Sequence, residues 1–142
     1  MYTFLLALFG AICWGIAPAF GKIGLRGIHP MDGLAARTLI TLLLVGTWAG
    51  FSGSLFRLHS IPSRAWFFLA IEAFFATFAG DLAYYAAIKW GNIGNTSLVL
   101  SVSPIITLLI GWFFMGESIS FLETLGAFFI LTGLILVASN SL

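Results

Sequence analysis

The chain has 142 residues, of which 61% are hydrophobic and 8% are charged, and its formal net charge is +1. Soluble domains carry roughly 25% charged residues, so this composition excludes a domain with a water-facing polar coat. The small net charge provides no basic stripe for nucleic acid, and we expect no nucleic-acid partner. The single cysteine, Cys13, excludes an intramolecular disulfide and a multi-cysteine metal site.

Five apolar stretches divide the sequence, four without any charged side chain and one with three. They are residues 1–21, 38–56, 64–88, 90–116 and 124–142. A helix needs about 17–25 such residues to cross the hydrocarbon layer of a membrane. The pattern therefore predicts an all-α membrane protein with five transmembrane helices.

The predicted helices follow from these stretches and from local start and stop signals. Ser63 is a predicted N-cap, Gly116 a predicted C-cap, and Ser120 with Glu123 forms a predicted capping box. The first stretch lacks the basic start and the cleavage site of a signal peptide, so we expect it to be retained as a span. The predicted helices, all within one transmembrane domain over residues 1–142, cover about 3–21, 31–51, 63–89, 96–115 and 120–138.

Three charged residues lie inside the predicted spans: Arg37, Glu72 and Asp81. Each costs about 2.5–3.5 kcal/mol at a helix centre, so each needs a partner, a water-filled cavity or a function. With a rise of about 1.5 Å per residue, Arg37 and Asp81 lie about 6 Å and 7 Å from the centres of their helices, toward the same membrane side. These two residues could therefore form an ion pair, either as a structural element or as part of a substrate pathway.

Glu72 has no cation at its own depth. It lies nine residues before Asp81, which is about 180° around a regular helix. Such a carboxyl could exchange a proton as access alternates, or bind a cationic substrate. The alternatives are a protonated Glu72 hydrogen-bonded within the bundle, and a Glu72 close to the membrane interface.

Further residues are candidates for the wall of a substrate cavity. Aromatic side chains are also common in helix packing and at membrane interfaces, so each has a structural alternative. A proline inside a span frees backbone groups, which is tolerated beside cavities. The candidates are Trp14, Tyr84, Tyr85, Ser101 and Pro104.

The odd number of spans places the two termini on opposite sides of the membrane. Basic residues favour one side by only four to two, which weakly predicts an outside N-terminus. Transporters often combine two units of inverted orientation, with the site between them. A weak charge bias would let one chain insert both ways, so we expect an antiparallel homodimer. The alternative is a single orientation in a parallel or heteromeric assembly.

The first three predicted helices contain motifs of a known family. Residues 13–22 (Cys-Trp-Gly to Lys22) resemble the W-G…K first helix of EamA domains in the drug/metabolite transporter superfamily. Residues 29–37 resemble the Pro…Arg start of the second helix of that family. Residues 84–89 (Tyr-Tyr-Ala-Ala-Ile-Lys) resemble the end of its third helix.

The last two predicted helices show the closest resemblance. Residues 101–104 (Ser-Val-Ser-Pro), 115–117 (Met-Gly-Glu) and 125–133 are similar to the S-P…L-G-E…G…G pattern of EamA domains. The resemblance implies a helical, proton- or gradient-driven carrier of small metabolites, and most members have two fused domains with ten spans. This chain then corresponds to half of a ten-helix inverted-repeat transporter. The acidic first-helix residue of the related small multidrug resistance proteins is absent here.

The sequence thus predicts a secondary transporter that moves a small metabolite by alternating access in a bacterial or archaeal cell membrane. Its partners would be lipid, the substrate and a second copy. We expect no cofactor, no metal and no enzymatic activity, because no nucleotide-binding loop, nucleophile–base pair or metal-ligand spacing is present. The alternatives are a non-transporting membrane subunit of a larger complex and a subunit of a lipid-linked sugar flippase.

Overall fold

The computed structural model describes residues 2–139. Within that range the chain is helical and has no strand. Five helices are long and apolar enough to cross a membrane, which confirms the predicted fold class. They are α1 (Tyr2–Gly24), α2 (Pro30–Phe51), α3 (Ser63–Trp90), α4 (Ile93–Met115) and α5 (Phe121–Ser139).

The turn between α1 and α2 is shorter than the sequence indicated, because α1 continues to Gly24. Gly27 has a left-handed φ of 74°, which reverses the chain at little cost for a residue without a Cβ. His29 then caps α2, because its Nδ1 accepts a hydrogen bond of 3.3 Å from the N–H of Met31. Asp32 in the first turn of α2 suits the positive end of the helix dipole.

The connection from α2 to α3 contains two short helical segments, Ser54–Arg57 and Leu58–Ser60. The predicted N-cap role of Ser63 is wrong. Pro62 occupies the cap position with an extended backbone, and no side-chain hydrogen bond caps this helix end. Ser63 is instead the first helical residue.

α4 begins at Ile93, three residues earlier than expected, because Asn92 caps it. The Asn92 side chain accepts hydrogen bonds from the N–H groups of Gly94 (2.8 Å) and Asn95 (3.3 Å). The helix is interrupted by a turn at Ser101 and Val102, whose N–H groups bond three residues back instead of four.

The boundary between α4 and α5 follows its sequence signals. Gly116 ends α4 in a left-handed conformation with φ 71°, as predicted for a C-cap. The capping box is complete: the N–H of Ser120 donates to the Glu123 carboxylate (2.7 Å), and the Ser120 hydroxyl accepts from the N–H of Glu123 (3.2 Å). Glu123 therefore serves the start of α5.

α3 departs from a regular helix in its middle. Residues Phe74–Gly80 form a π-helix between the α-helical segments Ser63–Ala73 and Asp81–Trp90. π-helical turns are rare and often occur at functional sites. The expected separation of 180° between Glu72 and Asp81 assumed a regular helix, and the wider turns between them change that angle.

The π-helical segment depends on Gly80. A Cβ added at Gly80 would stand 2.7 Å from the carbonyl oxygen of Phe75, which is backbone and cannot rotate away. We expect Gly80→Ala to distort this segment and to lower the free energy of unfolding by about 1–3 kcal/mol. Unfolding in mixed micelles by increasing SDS would measure the change.

Gly46→Ala in α2 is the matched control, because an added Cβ there meets nothing within 4 Å. Its expected effect has the opposite sign, a stabilisation of about 0.5–1 kcal/mol from lower backbone entropy in the unfolded chain. A Gly80→Ala protein as stable as Gly46→Ala would show that the π-helical segment does not depend on a glycine at position 80.

The chain divides into two compact units, residues Met1–Trp90 and Gly91–Leu142. In the first unit, the C-terminal segment of α3 packs against α1 and α2. Its core lies at one end of these helices and contains Leu25, Leu34, Tyr85 and Ile88. Glycine at position 33 allows the close approach, since an added Cβ would collide with the Leu25 side chain.

Candidate functional site

Arg37 and Asp81 form an ion pair between α2 and α3. The distance from Arg37 Nη1 to Asp81 Oδ2 is 2.5 Å, so the pairing predicted from their depths is present. The Asp81 side chain is 21% exposed and that of Arg37 is 46% exposed. The pair neutralises two charges at membrane depth, and part of the guanidinium remains accessible.

Two tyrosines of α3 accompany this pair. Tyr85 follows Asp81 by four residues and so lies on the same side of the helix, where its ring centroid is 5.7 Å from the Arg37 guanidinium carbon. Its ring is buried and stands next to Gly33. Tyr84 is half-buried, with its ring centroid 6.0 Å from that of Tyr85. The guanidinium is thus held by a carboxylate and an aromatic face together.

Glu72 lies apart from this arrangement. Its side chain is exposed, and among residues 2–139 no cation lies within ion-pair distance of it. It is the penultimate residue of the α-helical segment that precedes the π-helical turns. In a membrane, a carboxyl at this depth must contact other protein groups or water, or it must be protonated.

Of the other candidates, Trp14 belongs to the first compact unit, and Ser101 and Pro104 belong to the second. Trp14 on α1 is 81% exposed. The Ser101 hydroxyl donates to the carbonyl oxygen of Leu98 (2.8 Å), within its own helix. Pro104 stands in the first turn of the helical segment Ser103–Met115, after the interruption of α4. Its missing N–H is therefore unneeded, which corrects the expectation of a proline that breaks a continuous helix.

Sequence reasoning missed two features near the pair. The π-helical turns before Asp81 have no established sequence signal, although Gly80 at their end is compatible with them. The close packing at Gly33 involves the side chains of Leu25 and Tyr85, and the sequence does not show that these residues contact it. A hollow on α4 has a volume of about 280 Å³. It is lined by apolar side chains alone, so it has no groups for chemistry.

Comparisons with known proteins place the chain among transporters. The profile of the EamA-like transporter family matches residues 1–139. A protein of Sinorhizobium, named an uncharacterized transporter in the cobO 3′ region, is 30% identical over 132 residues, which cover 93% of both chains. No solved structure gave a significant match.

Two longer relatives match along part of their length. The uncharacterized transporter YyaM of Bacillus subtilis is 29% identical over 96% of this chain but only 44% of its own length. The uncharacterized inner membrane transporter YhbE of Escherichia coli is 24% identical over 97% of this chain and 43% of its own. The chain therefore spans less than half of these two relatives.

Five helices long and apolar enough to cross a membrane, together with the match to a transporter family, define a multi-pass integral membrane protein. The chain belongs to the EamA-like transporter family. The resemblance found in the sequence motifs is thereby confirmed.

Proposed function

We propose that this protein is a secondary transporter that moves a small metabolite across a bacterial or archaeal cell membrane by alternating access. The observation that carries the proposal is the Arg37–Asp81 pair at membrane depth in a chain of a transporter family. Charged residues inside spans are costly and commonly mark a substrate or ion pathway. The half-exposed guanidinium offers donors to a substrate, while Asp81 keeps its charge balanced.

Glu72 is the proposed proton-coupling residue, because it is an exposed intramembrane carboxyl outside the ion pair. Trp14, Tyr84, Tyr85, Ser101 and Pro104 are proposed to shape the pathway. Of these, Tyr85 would act by holding Arg37 in place, since its own ring is buried. The π-helical turns between Glu72 and Asp81 supply a segment in which small backbone changes could alter access.

The proposed active form is an antiparallel homodimer in which each copy provides one of two inverted halves. YyaM and YhbE are each more than twice as long as their matched part, whereas the Sinorhizobium relative has nearly the same length as this chain. A single short unit could thus reach a comparable size by pairing. A second copy would also provide protein to cover Glu72.

Cysteine accessibility tests alternating access without knowledge of the substrate. In a Cys13→Ala background, Tyr84→Cys beside the ion pair would be treated to completion with a membrane-impermeant maleimide, from the outside in one sample of proteoliposomes and from the inside in another. A transporter should be labelled in all of its chains from either side alone, because its pathway opens to the two sides in turn. Phe129→Cys, at an exposed apolar position of α5, is the control and should react from neither side. Incomplete labelling of Tyr84→Cys from either side alone would instead favour a non-transporting membrane subunit.

A further inference from the structure

Three basic side chains converge on one pocket at the end of α1. Lys22 belongs to the last turn of α1, Arg26 to the turn after it, and Lys89 to the last turn of α3. Leu25 and Gly27 complete the wall of this pocket, which has a volume of about 250 Å³. No acidic side chain lines it within the described part of the chain. All five residues belong to the first compact unit.

The Lys89 ammonium group and the backbone N–H of Gly27 are hydrogen-bond donors at this pocket. Lys89 Nζ donates to the carbonyl oxygen of Ile28 at 2.5 Å, which ties the end of α3 to the turn between α1 and α2. An ammonium group has three donors, so Lys89 keeps two for a ligand. The N–H of Gly27 has no acceptor among residues 2–139. The pocket therefore combines positive charge with hydrogen-bond donors, which is the chemistry that a phosphate requires.

The pocket also lies at the depth of lipid headgroups, because its residues stand where α1 and α3 end. Trp90, the last residue of α3, is 72% exposed, and its ring centroid is 5.9 Å from Lys89 Nζ. Tryptophan favours the membrane–water interface. Asp32, in the first turn of α2 on the same membrane side, is not among the lining residues.

We infer that this pocket binds the phosphate of an anionic phospholipid headgroup. Basic pockets between transmembrane helices bind such headgroups. Basic residues on one side of the membrane can orient a chain, and this effect depends only on their number. It does not explain why residues 22, 26 and 89 line one pocket, whereas a headgroup site requires that they do.

Native mass spectrometry of the purified protein would test the site, with phosphatidylglycerol added to the detergent. Titration gives the dissociation constant of the first bound lipid, and phosphatidylcholine and inorganic phosphate serve as comparison ligands. We expect Arg26→Gln to weaken phosphatidylglycerol binding about five-fold, which corresponds to about 1 kcal/mol per basic residue. Arg26→Lys keeps the charge and should retain most of the affinity. Arg64→Gln, at the start of α3 and away from the pocket, is the matched control and should leave binding unchanged.

Three results would overturn the assignment. Equal weakening by Arg26→Gln and Arg64→Gln would show a diffuse effect of net charge. Equal binding of phosphatidylcholine would show that the anionic headgroup is not recognised. Displacement of the lipid by an equal concentration of inorganic phosphate would show that the pocket takes free phosphate instead.

Discussion

Replacement of Glu72 by Gln is expected to abolish the pH dependence of transport while leaving membrane insertion and assembly intact. Glutamine has nearly the shape of a protonated glutamate but cannot exchange a proton. The variant should therefore behave at every pH as the wild-type protein behaves in acid. The ratio of the labelling rate at Tyr84→Cys to that at the exposed Thr3→Cys, measured from acidic to alkaline buffer, reports this without a known substrate.

Glu123→Gln is the matched control for this experiment. It makes the same chemical change, and glutamine can replace glutamate in the capping box that Glu123 forms with Ser120. We expect the labelling ratio of this control to depend on pH as in the wild-type protein. If Glu72→Gln also kept that dependence, Glu72 would have no part in proton coupling.

Loss of either member of the Arg37–Asp81 pair is expected to destabilise the protein by about 2.5–3.5 kcal/mol, because it leaves one charge alone at membrane depth. The half-exposed guanidinium places the cost of Asp81→Ala toward the lower end. Reversal of both charges, Arg37→Asp with Asp81→Arg, should recover part of this loss. Recovery would be incomplete, since Tyr85 would no longer face the cation as it does now. SDS unfolding of the wild-type protein, of the two single charge reversals and of the double reversal forms a double-mutant cycle.

Arg64→Ala is the control for the loss of a basic residue. Arg64 is in the first turn of α3 and has no carboxylate partner among the described residues, so its replacement should change stability by less than about 0.5 kcal/mol. Strict additivity of the two single charge reversals in the double variant would contradict a stabilising pair.

The sequence predicted the five spans because a membrane imposes length and hydropathy on each of them separately. It also predicted the contact between Arg37 and Asp81. Depth follows from position along each helix. Two opposite charges at the same depth are expected to pair, because each is costly when it is alone inside the membrane. The capping box at Ser120 was predictable for a similar reason, since it depends on residues three apart.

The features that escaped prediction depend on several segments at once or on small energy differences. The π-helical turns at Phe74–Gly80 follow from the packing of α3 rather than from a local motif. The caps at Pro62 and Asn92 required the backbone conformation of the turns, which the residue types alone left open. The basic pocket joins residues 22, 26 and 89, and their convergence needed the packing of α1 against α3.

The most direct test of the proposed inverted pairing is the orientation of each terminus in native membranes. Thr3→Cys and Ser139→Cys, each in a Cys13→Ala background, would be labelled from one side and then cross-linked in a mixture of the two. An antiparallel dimer predicts that each cysteine is labelled in about half of the molecules, and that the two positions cross-link to each other. Exclusive labelling of one terminus from that side, without cross-links between the positions, would contradict the dimer and the transport mechanism built on it.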